Sequence, residues 1–286
     1  LSNRFDSHYL HAVSDGRGTQ QVLGQTSGFI GYGDPVLGPP KENATKGSRG
    51  EELFGTVRGS NGQPLANPAA LLKLDSLLGA EQELAAVAGL FPEGSRLITK
   101  TAATEPAIKR DDAIAGAEVI LFSTHGVLAD PSLGTSEPGL VMTPPDAPSD
   151  LDDGLLSASE AAALDFTAEL LILSACNTAT EGSFSGADSL SGLARSFIFA
   201  GARSVYASHW HVSDNITKEL IYIAVEIALR EPDLTRSEAL GKAMRAIRSG
   251  AYENGTLVKG WTPDWAHPSA WAPFVAIVTR EQQEEG

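Results

Sequence analysis

Residues 118–124, EVILFST, run directly into His125-Gly126, and residues 168–175, AELLILSA, run directly into Cys176. Each stretch is short, rich in Val, Ile, Leu and Phe, and closed by small polar residues. That is the pattern of a strand buried on both faces, as in a parallel sheet. The carboxyl ends of parallel strands share one rim, where ligands and catalytic groups collect. Two such strands would therefore deliver an imidazole and a thiol to the same rim, close enough to approach hydrogen-bond reach. A thiol beside an imidazole is activated as a nucleophile.

Around these strands, helical and strand-like segments alternate. Residues 28–35 read as a strand ending in a Gly-Asp-Pro turn, and residues 36–67, dense in Gly, Pro, Asn and Ser, as a long surface loop. Residues 68–91 have the Leu and Ala spacing of one helical run. RLITK, residues 96–100, is a further strand. Thr104 then stands as the cap of a helix with a proline in its first turn. Residues 129–153 predict a loop or small hairpin over the rim. Helices are expected over 157–164, 188–200, 214–230 and 235–249, and strands over 202–208 and 273–278. The alternation argues for an α/β fold, a mostly parallel central sheet with helices on both faces. No internal repeat is visible.

Composition narrows the function classes. With 286 residues, 42% hydrophobic and 20% charged, the chain can bury one large core and is not a wholly disordered polymer. A net charge of -15 argues against nucleic-acid or anionic-membrane partners, which need clustered Lys and Arg, and favours basic partners or basic peptide substrates. Cys176 is the sole cysteine, so an intramolecular disulfide is excluded and a reducing, cytoplasmic setting is expected. No apolar run reaches the roughly 18 to 20 residues that cross a bilayer. Residues 1–27 show little periodicity; with Leu rather than Met first, they read as a poorly defined N-terminal segment or a truncated part of the domain, the domain proper spanning 28–286.

Each candidate residue has a plainer reading beside the chemical one. A lone Cys is usually a small core residue, but Cys176 is followed by the polar Asn-Thr-Ala-Thr-Glu-Gly-Ser, which favours the rim. The plainer reading of His125 is a residue that caps a strand end for local reasons; Gly126 after it, lacking Cβ, allows close approach of backbone to substrate, and its N–H together with that of Cys176 forms a candidate oxyanion hole. His209 and His211 alternate at the end of another strand and offer, with His125, a metal-ligand set. Two polar rim positions with Trp210 packed inward is the stronger account. Asp214 is either a helix N-cap or an acid facing the cleft. No phosphate-binding glycine motif is present, and neither Ser174 nor Ser183 lies in a G-x-S-x-G elbow. Asp146, Asp150, Asp152 and Asp153 read as a solvated loop face. No cofactor and no metal is expected.

The 51 residues from His125 to Cys176 lie close to the interval of about 50 known in caspases, although the caspase pentapeptide is absent. Taken in order, Gly33-Asp34-Pro35, Ala103-Thr104-Glu105, residues 122–126 (FSTHG), 173–178 (LSACNT), 192–197 (GLARSF), 200–205 (AGARSV), 210–214 (WHVSD) and 271–274 (WAPF) make the chain resemble the CHAT domain. That module is a caspase-like cysteine peptidase of the clan containing caspases, gingipains and separase, and is often found with tetratricopeptide repeats. The resemblance implies a caspase-like fold, with His125 as general base and Cys176 as nucleophile in cleavage of a protein or peptide substrate. It also implies a tetratricopeptide-repeat region or partner upstream. Separase-like relatives carry a Trp-x-Val-x-Asp sequence associated with a basic residue before the cut; Trp210 and Asp214 match it and become candidates for substrate binding. A catalytically silent CHAT domain acting as a protein-binding module is the alternative from another class, and a metal-dependent hydrolase built on His125, His209 and His211 is the third.

Overall fold

The computed structural model describes residues 28–38, 54–60, 62, 64–128, 137–175, 186–210 and 212–279. β1 (Phe29–Pro35) is buried along its whole length. The stretch read as one surface loop, 36–67, instead carries a hairpin of β2 (Phe54–Arg58) and β3 (Pro64–Ala66); strands this short among Gly, Pro and Asn leave no periodic signal. The helical run expected over 68–91 divides into α1 (Pro68–Leu71) and α2 (Ala80–Ala88). Between them Leu74 accepts a backbone hydrogen bond from Gly38 at 3.0 Å, and Gly38 and Asp75 form an isolated parallel bridge. A partner distant in sequence outcompetes the next helical turn where Asp75, Ser76 and Gly79 make that turn weak.

β4 (Ser95–Lys100) and α3 (Glu105–Lys109) follow, the helix capped by the Thr104 hydroxyl with proline in its first turn as expected. Next come β5 (Val119–Ser123), β6 (Gly126–Val127), β7 (Gly139–Val141) and β8 (Leu155–Ser157). α4 (Ala158–Ala162) opens with a capping box made by Ser157 and Glu160. The chain continues through β9 (Leu170–Ser174), α5 (Gly186–Phe199), β10 (Ser204–Ser208), α6 (Asp214–Arg230), α7 (Arg236–Ser249), α8 (Pro268–Trp271) and β11 (Phe274–Val278). No described helix is long and apolar enough to cross a membrane.

Six strands form the central sheet in the order β11-β10-β9-β5-β1-β4. All neighbours are parallel except β10 and β11, which are antiparallel. Because side chains alternate along a strand, the sheet sends Tyr32, Phe122 and Leu173 into a core with Phe197 of α5. It sends Phe29, Leu121 and Ile172 into a second core with α2, α6 and α7. Helices thus cover both faces, as the buried-strand pattern required. β6, β7 and β8 make a small antiparallel sheet beyond the end of β5; of the stretch read as a loop or small hairpin, 129–153, β7 is the described strand, and residues 129–136 lie outside those described.

Two of the short motifs have local physical reasons. A Cβ on Gly33 would stand 2.1 Å from the carbonyl oxygen of Ser123, so β1 and β5 approach this closely only with glycine there. Glu105, fully buried, accepts from the backbone N–H groups of Asp153, Gly154 and Leu155 at 2.7, 2.7 and 3.2 Å, while Lys109 Nζ binds its other oxygen at 2.5 Å and Glu160 at 2.6 Å. This carboxylate holds the turn leading into β8.

The acids of that turn depart from a solvated face. Asp146 and Asp150 are exposed, but Asp152 and Asp153 are partly buried. Asp153 accepts from Ala66 N at 2.7 Å, and burial pushes its carboxyl up to about 7; burial and the nearby Glu105 push that of Asp152 up to about 6. By turning inward Asp153 satisfies the Ala66 N–H of β3, a buried donor.

Removing the buried carboxylate takes the acceptor from the Asp153 and Gly154 amides and leaves Lys109 with Glu160 and the Leu151 carbonyl, so Glu105→Ala should cost about 3 kcal/mol in urea unfolding with little change in slope. A loss below about 1 kcal/mol would mean that the turn is held by other contacts.

Candidate functional site

β5 and β9 pair in parallel with Val119 opposite Leu170 and Ser123 opposite Ser174. The ladder extends one step further, Thr124 N donating to Ser174 O at 3.3 Å. The two apolar stretches singled out in the sequence are therefore immediate neighbours, and their carboxyl ends share a rim. Cys176, and with it the second candidate oxyanion N–H, lies outside the described residues, as do Ser183 and His211.

His125 is 7% exposed and held from two directions. Its carbonyl accepts from Val141 N at 2.9 Å, anchoring the backbone to β7, and Thr124 Oγ1 donates to the Val141 carbonyl. Its ring Nε2 lies 2.7 Å from the carbonyl oxygen of Asp75, in the extended segment between α1 and α2. A carbonyl can only accept, so Nε2 carries the proton, and in the neutral ring Nδ1 is the basic nitrogen. The break in the helical run is what brings that carbonyl to the imidazole. Gly126 begins β6, opposite Leu140.

The remaining candidates lie around α6. Ser213 occupies its N-cap position and Asp214 its first turn, exposed to solvent. Asp214 packs against the start of α2: a Cβ on Gly79 would stand 2.5 Å from Asp214 Cβ. Trp210 is 44% exposed rather than packed inward, its indole N–H donating to the Ser269 carbonyl at 3.1 Å. That bond satisfies the ring's polar edge at the surface and leaves its apolar body at the rim. His209 is partly buried, which pulls its imidazole below the ordinary value, and its backbone N–H donates to Pro273 O at 3.0 Å. Among the described residues no group of three His, Cys, Asp or Glu side chains could hold a metal ion.

Two participants escaped the reading of the sequence. The Asp75 carbonyl carries no residue-type signal. Glu83 of α2 looked like an ordinary helix residue, yet it is buried beneath the rim, with Ser123 Oγ donating to one oxygen at 2.6 Å and Ser174 Oγ to the other at 2.8 Å. Desolvation, only partly offset by these hydroxyls, pushes its carboxyl up to about 7. The only available hint was that both strands end in Ser.

A pKa raised from 4.5 to about 7 means that the folded protein retains a proton which the unfolded chain releases between those values. The Glu83 contribution is complete below pH 4.5 and is lost as pH rises to 7. Glu83→Gln, which cannot titrate, should therefore gain on the parent by roughly 2 to 3 kcal/mol between pH 4.5 and 7.5. Paired urea titrations across that range measure the difference, and a constant gap would refute the assignment.

A family model described as the CHAT domain matches residues 36–279. Comparison with curated proteins gives no match.

Proposed function

The chain belongs to the CHAT domain family, which is caspase-like and peptidase-related, and on that premise we propose that it is a cysteine-type endopeptidase using His125 and Cys176. The observation that carries the reading is the Nε2 contact of His125 to the Asp75 carbonyl at the end of β5, next to the end of β9. An imidazole fixed through Nε2 has one tautomer and one orientation, which is what a general base requires.

In this mechanism Nδ1 of His125 takes the thiol proton of Cys176, and the thiolate attacks the scissile carbonyl. The N–H groups of Gly126 and Cys176 donate to the oxyanion as it forms. The imidazolium then protonates the leaving amine, and water activated by the same ring hydrolyses the thioester. The Asp75 carbonyl steadies the ring in both protonation states, because Nε2 keeps its proton throughout. Asp214 and Trp210 would bind the side chain preceding the cut, the exposed carboxylate of Asp214 pairing with Arg or Lys. The net charge of -15 supports basic substrates in the same sense.

The enzyme should cleave a peptide library with preference for Arg or Lys before the scissile bond, and Cys176→Ala or His125→Ala should abolish cleavage. A charge-assisted hydrogen bond contributes roughly 1.5 to 3 kcal/mol, so Asp214→Ala should lower the Arg-to-Ala rate ratio about ten- to a hundredfold. An unaltered ratio would end the pocket assignment. Absence of cleavage, with a Cys176 thiol that reacts with iodoacetamide only after denaturation, would replace the peptidase by a silent binding module.

A further inference from the structure

Glu83 is 4% exposed, on α2 beside the core that Leu84 and Val87 form with α6. Burying a carboxyl group is costly unless its oxygens are hydrogen-bonded, and an apolar residue at this position would seal the core without that cost. What the carboxyl does instead is join two strands: Oε2 takes the Ser123 hydroxyl of β5 and Oε1 the Ser174 hydroxyl of β9. These serines are the final register pair of the two strands and stand two residues before His125 and Cys176 in the chain. Adjacent strands rotate by about 20 to 25° relative to one another, so their ends separate where backbone pairing stops. The last described backbone bond between them is Thr124 N to Ser174 O, at 3.3 Å.

We propose that Glu83 is a positioning residue whose carboxyl ties the ends of β5 and β9 together and thereby sets the spacing of the two segments that enter the rim. Its consequence for catalysis rests on the peptidase reading; the tie itself rests on the sheet alone. The charged groups that act on its ionisation are Asp214 and Lys218 of α6, in opposite senses, while Asp34 and Lys100 pair with each other at the ends of β1 and β4. The tie does not depend on the charge. A protonated carboxyl or an amide can donate through one atom and accept through the other, so each serine keeps a partner.

Two variants of the full chain separate the tie from burial and from charge. Glu83→Met keeps the volume and removes both hydrogen bonds, leaving the Ser123 and Ser174 hydroxyls without this partner; Glu83→Gln keeps the bridge without the charge. Amide hydrogen exchange of Thr124 reads the strand ends directly, and iodoacetamide labelling of Cys176 at pH 7, with His125→Ala alongside, reads the consequence. Thr124 should exchange about tenfold faster or more in Glu83→Met, and Glu83→Gln should recover most of the protection. Labelling should slow about tenfold in Glu83→Met, its pH midpoint moving toward the ordinary thiol value of about 8.5. This should hold even if thermal stability rises. Unchanged Thr124 exchange in Glu83→Met, or equal losses in both variants, would overturn the tie. Slower labelling in His125→Ala but not in Glu83→Met, with exchange unchanged, would leave the peptidase reading standing and the tie refuted. A response of Thr124 to Glu83→Met with no effect of His125→Ala on labelling would uphold the tie and remove the peptidase reading.

Discussion

The parallel pairing of β5 with β9 is the contact on which the remaining architecture depends. Both strands are buried, they pair over five consecutive positions, and they lie at the centre of the six-stranded sheet. A parallel pair cannot be joined by a tight turn, so the chain between them must cross a face of the sheet. It does so through β6, β7, β8 and α4, and of these β7 holds the His125 backbone through Val141. Central parallel pairing and construction of the rim are therefore one structural event.

Holding polar groups at such a rim requires that each have a partner, and the chain supplies these from segments far apart in sequence. Glu105 gathers three amides of the 153–155 turn, Glu83 gathers the two strand-end serines, and the Asp75 carbonyl receives the His125 ring. Each arrangement is buried or nearly so, where an unmatched group costs far more than it would in water. The same economy explains why Asp153 turns inward toward Ala66 although its neighbour Asp150 is exposed. Low exposure of His125 is consistent with a group whose orientation matters more than its access to bulk solvent.

A caspase-like fold accounts for the sheet order, the helices on both faces and the placement of His125 at a strand end. The peptidase chemistry is an inference from residue type, ring orientation and rim position. Asp214 and Trp210 belong to that inference too: one packs beside Gly79 at the start of α2, the other is fastened at its indole edge to Ser269. Both lie at the surface, where a substrate side chain would have to approach.

What the sequence determined by itself was everything governed by neighbours along the chain. Apolar runs bounded by small polar residues marked β5 and β9; Thr104, Ser157 and Thr235 marked helix starts, because a hydroxyl capping an amide two or three residues on is a local event. His125 at the end of a buried strand was legible for the same reason. The tertiary structure alone decided the order of the strands, the antiparallel course of β11, the hairpin within 36–67 and the division of the 68–91 run. Each of these rests on hydrogen bonds between backbone groups distant in sequence, which no residue type announces. The Asp75 carbonyl and the Glu83 bridge were hidden for that reason: a carbonyl is the same atom pair at every residue, and a glutamate on a helix shows its burial only when two strands close over it.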